Sequence, residues 1–310
     1  MTRTVALIGG SGFLGTGLRD RLVAADTEVI VVGRGPASQH DGWRSVQWDA
    51  VSLGPWVDEL GAADTIVHLA GKRVDCRPSE RNPAELIASR AGTVDLVGAA
   101  LERLGHVPDA WIQLSSLARF GDVPEGHIDE YSRLPLSGVP QQVKVCRRWE
   151  QAFREVTEKI PRTVLLRPGI AIGGAGDPAT KQMTRLVRFG LAGPVAGGRQ
   201  WVSWIAAEDM FALLRRAVTN DVMSGTYHLT APEPVTNREF MAAYRRALGR
   251  RFGLPAPRIL TQVGARLLGS DPALVLTGRA ALPRRLLDEG YTFAVTDLDE
   301  AVDRAISAMT

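Results

Sequence analysis

The chain has 310 residues, of which 45% are hydrophobic and 23% charged, and its formal net charge is +3 at pH 7. These values are ordinary for a soluble globular protein, with room for one large α/β unit and a smaller appended lobe. Because the arginines fall in scattered pairs without interleaved aromatic residues, nucleic-acid binding is a weak alternative.

The two cysteines, Cys76 and Cys146, have neither the number nor the spacing of a disulfide framework or a metal site, which fits a reducing compartment. The N-terminus lacks the apolar segment of a signal peptide. No apolar run approaches the ~20 residues of a membrane span. We therefore expect a cytoplasmic protein without a bound metal or a membrane partner.

A glycine-rich loop follows the first predicted strand, Val5-Ala6-Leu7-Ile8, and precedes a helix-like segment. Its glycines form a G-x-x-G-x-x-G pattern that allows a tight turn and a close approach of backbone to a pyrophosphate. A second buried strand, 28–32, completes a β-α-β unit, which favours a dinucleotide site over a chance turn. The predicted contacts in the loop are Gly9, Gly10, Ser11, Gly12, Phe13, Leu14 and Gly15.

Arg34 follows the second strand, at the position where an Asp or Glu would accept hydrogen bonds from the ribose of NAD. No acidic residue lies between Glu28 and Asp41. A guanidinium here suits a 2′-phosphate and can stack on adenine, so the sequence predicts NADP(H). The alternative is an ordinary solvated arginine at the start of a loop.

Further strand-like segments at 45–48, 65–69, 110–114 and 163–166 alternate with helical segments at 84–104 and 143–158. This alternation predicts an α/β fold with a Rossmann-like, doubly wound parallel sheet, whose ligands bind at the carboxyl ends of the strands. Asp49, after the third strand, is either an acceptor for the adenine amino group or a turn-forming aspartate.

The pattern changes after Gly169, where a glycine-rich loop precedes a helical segment at 181–191. From Pro232 onward the chain is mainly helical. We expect an NADP-binding domain formed by residues 1–170 with 196–230, and a smaller, mainly helical lobe for substrate or partner formed by 171–195 with 231–310.

Short motifs along nearly the whole chain resemble the extended short-chain dehydrogenases/reductases, and more closely the atypical "epimerase family" branch of sugar-nucleotide-epimerase-like proteins. The residues that carry this resemblance lie mostly just after predicted strands. They are 68–71 (HLAG), 89–93 (SRAGT), 146–150 (CRRWE), 166–169 (LRPG), 198–201 (GRQW), 204–210 (WIAAEDM) and 279–283 (RAALP). The branch also carries a C-terminal segment of undefined function, which residues 258–310 resemble.

The resemblance implies a catalytic Tyr-x-x-x-Lys pair with a Ser and an Asn. Aligned on Glu150, this chain has Gln142 at the tyrosine position and Cys146 at the lysine position. Glutamine does not titrate and a neutral thiol carries no positive charge, so neither reproduces the usual proton transfer. Ser116 falls at the serine position, and Ser89 takes the asparagine position.

Residues after the later strands are predicted to complete the cofactor site: Leu69, Ala70, Gly71, Arg90, Ser115, Arg167 and Pro168. Candidate replacements for the missing pair, each of which can instead be a surface or loop residue, are Arg90, Lys144, Tyr131 and Asp129. His68 is either catalytic or packed, and Cys146 is by default an inert buried thiol.

Two hypotheses for function follow. The first is an NADP-dependent oxidoreductase or epimerase-like enzyme on a small hydroxyl or carbonyl compound, possibly derived from a sugar. The second is a non-catalytic NADP-binding sensor or partner-binding protein that kept the cofactor site. The expected assembly is a monomer or a homodimer.

Overall fold

The computed structural model describes residues 3–72, 82–135, 140–267 and 271–309. Most of its strands are short and buried, as the apolar runs predict. The strands are β1 (Thr4–Ile8), β2 (Glu28–Gly33), β3 (Ser38–His40), β4 (Trp43–Gln47), β5 (Thr65–His68), β6 (Ala110–Leu114), β7 (Arg162–Pro168), β8 (Ile170–Ile172), β9 (Trp201–Val202), β10 (Trp204–Ala206), β11 (Gly225–Leu229) and β12 (Val235–Thr236).

Helices follow most of the strands and cover both faces of the sheet. They are α1 (Phe13–Val23), α2 (Trp56–Glu59), α3 (Asn82–Ile87), α4 (Thr93–Leu104), α5 (Gln141–Val156), α6 (Pro178–Arg188), α7 (Ala207–Thr219), α8 (Asn237–Ala247), α9 (Arg258–Leu267), α10 (Ala273–Leu276), α11 (Arg284–Asp288) and α12 (Leu298–Ser307). Among the described residues, no helix combines the length and the apolar character needed to cross a membrane.

The main sheet has eight strands in the order β11-β7-β6-β5-β1-β2-β4-β3. Every neighbouring pair in it is parallel except β3 and β4. The order reverses direction at β1, and parallel strands bring their carboxyl ends to one edge of the sheet. The fold class predicted from the sequence, a Rossmann-like doubly wound parallel sheet, is therefore confirmed.

The two faces of β1 belong to two separate hydrophobic clusters. Val5 and Leu7 pack with residues of α1 and α7 on one face. Ala6 and Ile8 pack with α4 and α5 on the other. A strand that is buried on both faces has a continuous run of apolar residues, as Val5–Ile8 has.

Two small sheets lie outside the main one, where β8 pairs with β10 and β9 pairs with β12. Their residues share a third hydrophobic cluster with α6, α8 and α12. Ile205 of β10 packs instead in the cluster of the main sheet, and the predicted division of the chain into two lobes stays a prediction. The next segments, α7 and β11, return to the main sheet.

Two elements of the structure depart from the predicted ones. The predicted helix 84–104 is interrupted by a π-helical turn at Ala88–Gly92, between α3 and α4. The strand β11, Gly225–Leu229, was not among the predicted strands. It contains His228 and Thr226 between apolar residues and forms the edge next to β7, so its pattern is weaker than that of the central strands.

Candidate functional site: a glycine cradle at the carboxyl edge of the sheet

Three of the loop glycines have no room for a side chain. Gly9 has a φ of +76°, and a Cβ built on it would lie 2.6 Å from the Cα of Ala70. At Gly10 a Cβ would lie 2.7 Å from the Cβ of Leu7, and at Gly15 it would lie 2.3 Å from the Gly10 oxygen. Close packing of β1, the loop and α1 therefore requires glycine at these positions.

Gly12 differs from these three because a Cβ built on it would meet nothing within 4 Å. It is the N-cap of α1, in an extended conformation, and the first turn of that helix contains no acidic residue. The free backbone N–H groups and the positive end of the helix dipole face this open space. The surroundings of Gly12 thus fit a pyrophosphate, as the sequence predicts.

Ser11 and Arg34 flank the end of β2. A Cβ built on Gly33 would lie 3.6 Å from the hydroxyl oxygen of Ser11, which places that hydroxyl beside the strand end. Both Ser11 and Arg34 are exposed. Within the described part of the chain, Arg34 makes no hydrogen bond or ion pair, so its guanidinium is available to a ligand.

Asp49 lies after β4 and is exposed. Its carboxylate accepts hydrogen bonds from the hydroxyl of Ser52 at 2.5 Å and from the backbone N–H groups of Val51 and Ser52 at 2.8 and 2.9 Å. These bonds, the Ser52 hydroxyl first, lower the pKa of Asp49 to about 2. The turn-forming alternative for Asp49 is thus confirmed, while an adenine contact stays a prediction.

A cavity of about 350 Å³ opens beside the glycine loop. Its lining combines the loop with the ends of β5 and β7 and the start of α6. The residues are Gly9, Gly12, Phe13, Leu14, Gly15, Leu69, Pro168, Gly169, Ala171, Asp177, Pro178 and Met210. Five predicted cofactor residues of the loop therefore line the same cavity as two later ones, Leu69 and Pro168.

Asp177 and Phe13 stabilise the parts of the cavity lining at the start of α6 and the start of α1. The buried Asp177 carboxylate caps α6, accepting from Ala179 and Thr180 N–H at 3.0 Å each. The Phe13 ring packs edge-on against Phe211 with ring centroids 5.2 Å apart, and a Cβ on Gly173 would lie 2.5 Å from that ring. The glycine-rich segment after β8 thus lies directly against the start of α1.

The predicted contact between Arg90 and the cofactor stays a prediction, and the structure shows where its side chain lies. Arg90 lies in the π-helical turn, is buried, and donates from Nη2 to the backbone oxygen of Lys72 at 2.8 Å. Its guanidinium carbon is 5.3 Å from the centre of the Trp149 ring and 3.4 Å from a Cβ built on Gly71. The arginine thus bonds to the loop after β5 at Lys72 and also donates from Nη1 to the Ser89 hydroxyl at 3.3 Å.

Ser115 and Arg167, two further predicted cofactor residues, are buried and share one carboxylate, and their contact with the cofactor stays a prediction. The Ser115 hydroxyl donates to Glu150 Oε1 at 2.7 Å. Arg167 donates from Nε and Nη2 to the two oxygens of the same carboxylate, each at 2.8 Å. Glu150 is 0% exposed, so this bidentate pair is fully buried and ties α5 to the ends of β6 and β7.

The two positions of the missing catalytic pair lie one turn apart on α5. Gln142 donates from Nε2 to Asp271 Oδ2 at 3.0 Å, which joins α5 to the C-terminal segment. Cys146 is 5% exposed, and burial raises the pKa of its thiol to about 12. The prediction that the thiol is buried is confirmed, and a neutral thiol near pH 7 favours its interpretation as inert.

Ser116 is half-buried at the end of β6 and caps the short helical turn Leu117–Phe120. Its hydroxyl oxygen accepts from the backbone N–H of Ala118 at 3.1 Å. The hydroxyl proton is not used in that bond and can be donated to another oxygen. Ser116 thus keeps one hydrogen-bonding function at the position where the resemblance places the catalytic serine.

The other candidate replacements are less suited to proton transfer. His68 is 0% exposed on the face of the sheet covered by α4 and α5, and burial lowers its pKa to about 4, so the packed alternative is confirmed. Tyr131 is 69% exposed and Lys144 is exposed. Asp129 accepts from the hydroxyl of Ser132 at 2.8 Å. Cys76 lies outside the described residues.

Three residues near the missing pair were not identified from the sequence. Arg119 is buried beside Glu150, with Nε 3.7 Å from Oε2. Asp271 and Arg279 reach this region from the C-terminal segment. Among these three residues, only Arg279 had a signal in the sequence, because it belongs to one of the motifs that carry the family resemblance.

Comparison with known proteins fits this geometry. A model of the NAD dependent epimerase/dehydratase family matches residues 5–229, and a model of a domain of unknown function (DUF1731) matches residues 256–305. Among curated proteins, epimerase family protein YfhF of Bacillus subtilis is 29% identical over 98% of each chain. An epimerase family protein of Mycobacterium bovis is 31% identical over 97% of each chain.

A solved relative extends the match to three dimensions. The crystal structure of human epimerase family protein SDR39U1 with NADPH covers 99% of this chain and 100% of its own, with 28% identity and a TM-score of 0.82. MoeE5 in complex with UDP-glucuronic acid and NAD has a TM-score of 0.78 at 21% identity, which supports the fold alone. The resemblance read from the motifs is confirmed, and the chain belongs to the NAD dependent epimerase/dehydratase family.

Proposed function

We propose that this protein binds NADP(H) in the glycine cradle and acts as an oxidoreductase or epimerase-like enzyme on a small hydroxyl or carbonyl compound. The observation that carries the proposal is the open space at Gly12, at the N-terminus of α1, bordered by glycines that admit no side chain. The human relative solved with NADPH supports the same cofactor.

The two anionic parts of NADP(H) have separate positions in this proposal. The pyrophosphate lies at Gly12, against the free N–H groups of α1. The 2′-phosphate lies beside the end of β2, within reach of the exposed Arg34 guanidinium and the Ser11 hydroxyl. A cofactor without the 2′-phosphate gains nothing from Arg34 except stacking.

Replacing Arg34 with Ala should weaken NADPH and leave NADH nearly unchanged. A charge-assisted hydrogen bond contributes about 1.5–3 kcal/mol, so the dissociation constant for NADPH should rise about 10- to 150-fold. Calorimetric titration of both cofactors measures the difference. Arg103→Ala, an exposed arginine near the C-terminus of α4, is the matched control, and an equal loss for NADH would remove Arg34 from the 2′-phosphate site.

For catalysis, bound NADP(H) supplies or accepts a hydride. The side chains of this chain must then position the substrate oxygen and manage its proton. Ser116 is the residue proposed for that oxygen, because its hydroxyl proton is free to be donated. With Gln142 and Cys146 in place of a Tyr/Lys pair, proton transfer lacks a group worth about 10²–10⁴-fold in rate, and water is the remaining donor or acceptor.

Hydride exchange should therefore be slow on simple alcohols, and any residual turnover should depend on Ser116. NADPH fluorescence over a panel of small hydroxyl and carbonyl compounds measures it. We expect Ser116→Ala to reduce turnover, and Cys146→Ala to leave it unchanged because the thiol pKa is about 12. Fast turnover that collapses on Cys146→Ala would contradict this assignment.

A non-catalytic NADP-binding sensor or partner-binding protein is the second candidate. It is favoured by the chemistry of the catalytic positions, where Gln142 does not titrate, the Cys146 pKa is about 12, and His68 is buried with a pKa of about 4. NADPH binding without any hydride exchange over the panel would select it. The smaller lobe, 171–195 with 231–310, would then hold the partner instead of a substrate.

A further inference from the structure

Exposed apolar side chains lie beyond the C-terminal ends of α6 and α8. Phe189 follows α6 and Phe252 follows α8, and each is 68% exposed. Leu191 and Leu254, two residues further along each segment, are also more than half exposed. Proteins rarely expose large apolar side chains together unless the surface contacts something else.

Backbone contacts hold these two segments side by side. The Leu254 N–H donates to the Gly190 oxygen at 2.8 Å, and the Gly193 N–H donates to the Leu254 oxygen at 3.2 Å. A Cβ built on Gly253 would lie 2.7 Å from the carbonyl carbon of Ala192. Because the segments touch along their backbones, their exposed side chains belong to one surface.

Helix α9 continues this surface. Ala256, which forms a parallel bridge with Val195, lies two residues before the start of α9. On the helix itself Ile259, Leu260 and Val263 are exposed, at a spacing that places them on one side of the helix. Together with the four side chains above, they form a surface that we call the apolar patch.

The segments that contain the apolar patch are strongly basic. Residues 178–207 have four Lys or Arg residues and residues 240–270 have six, and neither segment has an Asp or a Glu. The other 27 of the 37 basic residues share the rest of the chain with all 34 acidic ones. Positive charge is therefore concentrated where the apolar side chains are exposed.

Four arginines beside the apolar patch are available to a ligand. Arg188, Arg250, Arg251 and Arg258 are exposed, and within the described part of the chain their side chains make no hydrogen bond or ion pair. Three of them, Arg188, Arg251 and Arg258, directly precede an exposed apolar residue of the patch. The apolar patch is thus bordered by cations that can contact an anionic surface.

Charge and shape distinguish between the possible occupants of the apolar patch. A second copy of this chain would bring like charges against the arginines, which is unfavourable. The apolar side chains protrude, with Ile259 74% exposed, which suits insertion into a soft layer better than docking on a rigid partner. Protruding apolar residues bordered by arginines are typical of proteins that lie on anionic bilayers.

We propose that the apolar patch docks this protein on an anionic membrane surface. The apolar side chains lie at the boundary between headgroups and acyl chains, and the arginines contact the headgroups. The sequence predicted no membrane partner because it has no spanning segment, but a protein that lies on the bilayer needs none. The cofactor cavity lies at the other end of α6, whose 11 residues span about 16 Å, so docking and cofactor binding can be measured separately.

The test is co-sedimentation of the protein with vesicles of phosphatidylcholine alone and of phosphatidylcholine with about one-third phosphatidylserine. We expect saturable binding to the anionic vesicles, weak binding to the neutral ones, and loss of binding at high salt, which screens the charges. The double variants Phe189→Ser/Phe252→Ser and Arg250→Ser/Arg251→Ser should each bind anionic vesicles about tenfold or more weakly.

The matched controls replace an exposed apolar and an exposed basic residue elsewhere. Val222→Ser, between α7 and β11, and Arg103→Ser, on α4, should bind vesicles like the wild type. All variants should keep the wild-type melting temperature and NADPH affinity, because the altered side chains are exposed and lie outside the cavity. Ile259→Ser is the second variant of the apolar patch, should the phenylalanine double variant not fold.

Each outcome decides the point. Binding to anionic vesicles that both double variants lose supports the docking surface. Absence of that binding, or equal binding by the wild type and either double variant, would overturn the inference. A dimer in analytical ultracentrifugation that the phenylalanine double variant dissociates would also overturn it, in favour of a second copy. Binding of polyglutamate or of oligo-dT in place of vesicles would overturn it in favour of an acidic protein or a nucleic acid.

Discussion

Gly12→Val should fold normally and lose NADPH binding. A Cβ at this position meets nothing within 4 Å, and the backbone is extended, with φ −85° and ψ 179°, so valine fits the protein itself. The same side chain would fill the space of the pyrophosphate. Overlap of this kind costs about 1–3 kcal/mol, so affinity should fall by up to about 150-fold in calorimetric titration.

The matched control for Gly12→Val is Gly61→Val, which also introduces a side chain at a glycine with nothing within 4 Å. Gly61 lies before β5, at the opposite edge of the sheet from the glycine loop. The Gly61→Val variant should retain wild-type affinity for NADPH. If folded Gly12→Val bound NADPH as tightly as this control, the pyrophosphate would not lie in the glycine cradle.

Glu150→Ala should destabilise the fold by about 3–5 kcal/mol, the range for removing one partner of a buried ion pair. The variant leaves the Arg167 guanidinium, 4% exposed, without its bidentate acceptor, and also removes the acceptor of the Ser115 hydroxyl. Urea denaturation followed by circular dichroism measures the free energy of unfolding. We expect the main effect of Glu150→Ala on the free energy of unfolding, because Glu150 is fully buried.

Glu155→Ala on the same helix is the control for Glu150→Ala. Its carboxylate is about half exposed and pairs with Arg148 at 3.4 Å, so its loss should cost about 1 kcal/mol or less. A loss at Glu150 no larger than at Glu155 would mean that the buried network adds nothing to stability. The account of Ser115 and Arg167 as structural residues would then be wrong.

Features that depend on neighbours in sequence were predictable here. The apolar runs of β1 and β2 and the glycine loop between them predicted the β-α-β unit, because strand burial and turn geometry are local properties. Arg34 was likewise identified from its place at the end of β2. The edge strand β11 and the π-helical turn at Ala88–Gly92 were not, since tertiary contacts decide both.

Contacts between distant segments shape parts of the site that no local pattern in the sequence predicts. Arg167 follows a strand at the ligand edge, which is typical of a cofactor residue, but Glu150 on α5 draws its side chain inward. The bond between Gln142 and Asp271 joins residues 129 positions apart in the chain. The packing of the C-terminal segment on the loop at 121–128 likewise has no local pattern in the sequence that predicts it.

The most direct test of the central claim, NADP(H) binding in a glycine cradle selected by Arg34, is calorimetric titration of the wild-type protein with NADPH and with NADH. We predict that NADPH binds about tenfold or more tightly, from one charge-assisted contact to the 2′-phosphate. Equal affinities, or no binding of either cofactor, would contradict the claim.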